Sequence, residues 1–179
     1  MALTNFADMI GKSYDRLKKP EAFVLAENTA KSTFSDQFAQ RAWRRLFWAD
    51  NFRARVINSA PMADIDASWK SYIDADADWN ANIMISIVGL EHYYGAKRSQ
   101  HLEGRIQALF QQLDEHLAAL RRSNPMMTLR NGPQPDDTRT ADAAISARLA
   151  KDVSDELKTE LYVLVRCFAA TDKGKNLCN

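Results

Sequence analysis

The stretch from Trp79 to Tyr94 limits what this chain can fold into more than any other part of it. At a helical step of about 100° per residue, Trp79, Ile83, Leu90 and Tyr94 point to one side, and Met84, Ile85 and Val88 to the others. A helix that is apolar all round leaves most of its apolar area wet on a surface. The stretch is therefore expected to be a central rod covered by its neighbours. Ile83, Ile85, Ile87 and Val88 are β-branched and would also suit a strand. Two features favour helix: Gly95 stands where a left-handed residue would end one, and every long segment elsewhere reads as helix.

A chain of 179 residues can close one hydrophobic core without disulfides or metals, so a single domain over 1–179 is expected. The net charge of +1 gives no global attraction to nucleic acid or anionic lipid. No apolar run approaches the roughly 20 residues of a membrane span. Met1 to Asp8 lack the basic and apolar regions of a secretory signal. Cys167 and Cys178 match no metal-ligand spacing. A soluble, cytoplasmic protein with reduced thiols is the expectation.

Along the chain, Leu3, Phe6, Ile10, Tyr14 and Leu17 form a helical face. Pro20 starts a short second helix that fades by Ser32, and Ser35 caps a third that reaches about Asn58. Pro61 opens the next, with Trp69, Tyr72 and Ile73 clustered on it and a break or kink expected at Asp74–Asp78. From Ser99, Leu102, Ile106, Leu109, Leu113, Leu117 and Leu120 lie in a narrow arc with Phe110 beside them. Residues 123–140 hold turn residues and no period, so a loop is expected there. A last helix from about Ala141 to Ala170 carries Ile145, Leu149, Val153, Leu157, Leu161, Leu164 and Phe168, before a frayed tail at 171–179. The sum is an all-α, single-domain bundle of five to seven helices around the central helix at 79–94.

Several motifs fail on spacing. Asp74, Asp76 and Asp78 open like a calcium loop, but Trp79 and Ile85 occupy the positions that need glycine and glutamate. His92, His101 and His116 have no carboxylate or histidine at metal-ligand spacing. No base is placed to activate Cys167, and neither a phosphate-binding glycine loop nor a nucleophile elbow is present. No catalytic residue, metal or cofactor is predicted.

One surface remains. On the helix from Ser35, Phe38, Ala42, Trp43, Leu46, Ala49, Val56 and Ile57 spread over one broad side. Arg41, Arg44, Arg45 and Arg55 gather on the other, with Trp48 and Phe52 among them. Tryptophan with arginine is enriched at binding hot spots. Arg41, Arg44, Arg45, Trp48, Phe52 and Arg55 are thus the candidate partner-binding residues. The competing structural account is internal: the acidic segment Asp64 to Asp78 follows directly, and a helical hairpin would bring it alongside and neutralise the arginines. The expected function is a non-catalytic protein–protein interaction module: a small regulator, an adaptor or an immunity-type inhibitor of a partner, or a self-associating bundle. The alternative is a nucleic-acid-binding accessory protein that stacks bases on Trp48 among the arginines.

Overall fold

The computed structural model of the protein describes residues 21–124 and 137–169. The helix expected at 3–17, the centre of the loop and the tail at 171–179 lie outside them. The chain divides into two compact units, 1–36 and 37–179, where one domain is expected. All the described secondary structure is helical, and the described residues form four helices where five to seven are expected over the whole chain. We label them α1 (Glu21–Ile57), α2 (Met62–Tyr94), α3 (96–123) and α4 (Asp137–Ala169). No described helix is long and apolar enough to cross a membrane.

In the first unit the described part of α1 runs on through Ser32 without a break. The Ser35 hydroxyl donates to the Lys31 carbonyl at 2.8 Å. It bonds back into a continuing turn instead of capping a new one, which is why two expected helices are one.

In the second unit, α1 ends where expected. The Ala60 amide donates to the Arg55 carbonyl at 3.0 Å and the Ser59 amide to the Val56 carbonyl at 3.1 Å. With Ser59 at a φ of 51°, this is a Schellman turn that uses serine at the position glycine usually takes. Pro61 then opens α2. The break expected at Asp74–Asp78 is absent, because each aspartate there pairs with a cation. Lys70 meets Asp74 one turn away on α2, while Arg45 and the Arg41–Arg44 pair on α1 meet Asp76 and Asp78. α2 ends at Gly95, which has a φ of 90° and whose amide donates a hydrogen bond to the Glu91 carbonyl.

α3 begins at Ala96, directly after that glycine. It contains a π-helical turn at Leu102–Ile106 between Ala96–His101 and Gln107–Ser123. Its leucine stripe is the core of the fold: Leu102, Ile106, Leu109, Phe110, Leu113, Leu117 and Leu120 are all buried, as their spacing predicts. α4 packs along it and buries Ala147, Ala150, Val153, Leu157, Leu161 and Leu164. Ile145 and Leu149, expected inside, are exposed, and two alanines take the interior there.

The expectation of a central rod at 79–94 is overturned. Trp79, Ser86 and Leu90 are buried, but Met84, Ile85 and Val88 face solvent. The segment is one wall of the bundle, and the helix around which the others pack is α3. Cys167 is disulfide-bonded, against the expected free thiol. Cys178, the chain's only other cysteine, lies outside the described residues.

Candidate functional site

The six residues singled out on α1 do not form one surface. Phe38, Ala42, Arg45, Ala49 and Phe52 recur at steps of four and three, and all five are buried. That stripe is the inner face of α1, so Arg45 and Phe52 are interior and unavailable to a partner in this fold.

Arg45 is 2% exposed and is held from three sides. Its Nη2 donates to both carboxylate oxygens of Asp114 at 2.8 Å, and it lies 2.7 Å from Asp76 Oδ1. Its guanidinium carbon sits 4.1 Å from the centre of the Phe110 ring. The Tyr72 hydroxyl donates to Asp114 Oδ1, one of those two oxygens. A buried cation is tolerated only when paired and hydrogen-bonded, and α2 and α3 each supply one carboxylate. Burial, helped by the charge of Asp114, raises the Tyr72 pKa above the usual tyrosine range, with Arg45 opposing. Burial likewise raises Asp76, against the pull of Arg45. Such a network fixes the register of α1 against α2 and α3. Among the described residues no group of histidine, cysteine and carboxylate side chains could hold a metal ion.

Aromatic rings extend from this network in both directions. Phe52 lies 4.9 Å from Trp69, and Trp69 lies 5.6 Å from Tyr72. Arg121 sits over Trp69 and reaches Asp66. Trp79 contacts Phe110 and Phe38, and its indole donates to Gln107 Oε1 at 2.9 Å. These are packing contacts of an interior, not a cleft.

Arg41, Arg44 and Arg55 remain at the surface, and the acidic segment alongside meets them as the internal alternative describes. Arg55 pairs with Asp64 at 3.1 Å. Arg41 and Arg44 reach the same oxygen of Asp78, at 4.0 and 3.9 Å. Two guanidiniums share one carboxylate at long range, so this point of α1 stays locally basic.

Sequence reasoning missed the aromatics beside it. Trp43, assigned to the apolar side, is 37% exposed, and Phe47, which the sequence reading placed on neither side, is 59% exposed. Phe47 packs edge-on against the half-buried Trp48, with ring centres 5.1 Å apart. Trp43, Arg44, Phe47 and Trp48 therefore form an aromatic and basic ridge on the outer side of α1. The signal was available: residues one and five places beyond a buried position such as Ala42 fall on the flank and the far side of its helix.

A second polar seam joins α1 to α4. Asp50 accepts from the Ser154 hydroxyl at 3.1 Å and pairs with Lys158 at 2.7 Å. The pull of Asp50 and Asp155 outweighs partial burial and raises the Lys158 pKa. At the π turn, His101 and Arg105 meet Glu160, and Arg105 also meets Glu156. Comparison of the chain with protein-family models, with curated proteins and with solved structures finds no match.

Proposed function

We propose that this protein is a non-catalytic binding module for another protein, and that the contact centres on Trp43, Phe47 and Trp48 with Arg44 beside them. The exposed aromatic ridge is the observation that carries this reading. Large aromatics next to arginine supply most of the binding energy at protein interfaces. The shared Asp78 leaves positive charge to be met, which favours a partner with an apolar pocket rimmed by carboxylates. Of the sequence-predicted residues, Arg41, Arg44, Trp48 and Arg55 keep enough exposure to take part; Arg45 and Phe52 act from within, by holding α1 in place. An adaptor, a regulator or an immunity-type inhibitor all fit this description.

The same ridge could stack bases, and salt separates the two readings. Nucleic-acid affinity falls steeply with salt as counterions are released, whereas an aromatic protein contact depends on salt much less. The test uses tagged full-length chain recovered from cells that make it, beside a Phe47→Glu variant. A stoichiometric protein that survives nuclease and high salt, and is lost with Phe47→Glu at unchanged melting temperature, is the expected result. Co-purifying material that disappears with nuclease would instead assign the ridge to nucleic acid.

A further inference from the structure

The outward face of α2 exposes the most apolar stretch of the chain. Met84, Ile85 and Val88 are 66%, 63% and 61% exposed. Earlier on the same side stand Ala77 and Ala81, both exposed. Seven-residue steps link Ala77 to Met84 and Ala81 to Val88, so these four residues make one strip of coiled-coil type. The strip is small-sided in its first half and large-sided in its second.

Its ends differ in charge. Lys70 lies one heptad before Ala77 and Glu91 one heptad after Met84, and both are exposed. Lys70 already meets Asp74 on its own helix, but in an exposed pair that exchanges easily. A contact between two identical copies about a two-fold axis needs a patch that complements itself. An antiparallel arrangement meets that need. With the copies antiparallel and the axis between Asn80 and Ala81, Met84 of one copy lies against Ala77 of the other and Val88 against the exposed Ile73. Lys70 then meets Glu91 of the second copy at both ends. A parallel pairing would set large on large and like charge on like charge.

We propose that this face of α2 is where two copies of the chain associate, packed antiparallel. A continuous exposed apolar strip with polar ends is the usual mark of an association surface. From Lys70 to Glu91 the strip is about 31 Å long. A contact of one helix face per copy falls below the roughly 1,200 Å² of a standard interface, so the dimer forms reversibly. It uses a different helix from the proposed partner ridge and stands independently of it.

The test is sedimentation of the full chain over a rising concentration series, with melting temperatures recorded for each variant. The wild type is expected to pass from monomer to dimer. Met84→Glu stays monomeric and melts as the wild type does. Lys70→Glu, which sets like charges together, weakens the dimer by about tenfold, and adding Glu91→Lys restores it. Phe47→Glu on α1 leaves dimerisation unchanged. A chain that stays monomeric throughout, or a dimer indifferent to Met84→Glu, would overturn the proposal; failure of the double charge reversal to restore association would overturn the antiparallel arrangement.

Discussion

The two halves of α2 belong to one unbroken helix and meet very different surroundings. In the first half, Ile65, Ser68, Tyr72, Ala75 and Trp79 recur at steps of three and four, and all are buried. Around them stand aspartates that pair with α1, α3 or α2 itself. In the second half the same stripe continues to Ser86 and Leu90, yet most of the large apolar side chains fall off it. The half richer in charge is thus better buried at its centre than the half richer in isoleucine. Local hydrophobicity measures how much a segment gains from burial; the line of contact with neighbouring helices decides which residues get it. A serine on the line is interior, and a methionine off it is wet.

The most severe test of this contrast is truncation within each half. Trp79→Ala should lose about 4 kcal/mol in urea denaturation, from the cavity and from the unpaired Gln107 amide, while the same truncation at Met84 should move stability by less than about 0.5 kcal/mol. A comparable loss at the two sites would mean that the second half is covered after all.

Next in size is Arg45. Its replacement by alanine strands Asp76 and Asp114 beside Tyr72, and a loss of about 3 kcal/mol is expected, at the low end for a broken buried pair because water still reaches Asp114. Arg45→Lys should recover only part of it, since an ammonium loses the planar guanidinium's contact with the Phe110 ring. Full recovery by lysine would show that charge alone holds the seam.

Smaller still is the effect of the tyrosine in that seam. Tyr72→Phe should cost about 1 kcal/mol at neutral pH, the value of one hydrogen bond. The folded protein holds Tyr72 protonated above the ordinary tyrosine range. Its contribution is therefore complete below about pH 10, where the unfolded chain would also be protonated, and is lost as the pH rises toward the folded-state value. Denaturation between about pH 8 and pH 11 should show the wild type declining more steeply than the phenylalanine variant. Lys158, also raised, adds a decline of the same sign to both. Parallel curves would place the Tyr72 hydroxyl in contact with water.

Much of the fold was legible. The leucine arc of α3 needed only its spacing, because leucines confined to a narrow arc admit one buried side. The turn at Asn58–Pro61 and the stop at Gly95 follow from proline and glycine chemistry. On α1 the reading failed at its centre. Trp43, Val56 and Ile57 widened the apolar side until its midpoint shifted, and Arg45 then fell opposite. The four–three steps through Phe38, Ala42, Arg45, Ala49 and Phe52 mark the inner face, but a charged residue on such a line passes for solvent-facing until its partners are known. Asp114 sits 69 residues away on another helix, and no local pattern connects the two.

By itself, the amino-acid order determines that this chain is helical, where α2 opens and closes, and that α3 has a single apolar side. Those properties depend on residues within a few turns of one another, and local backbone and side-chain preferences settle them. Only the tertiary structure decides which flank of α1 and α2 turns inward. Both helices carry apolar side chains around more than half their circumference, so several orientations bury similar area. The choice adopted buries Arg45 together with Asp76 and Asp114, and it is tolerated because the cation inside is paired. That same choice leaves Phe47 and Met84 facing outward.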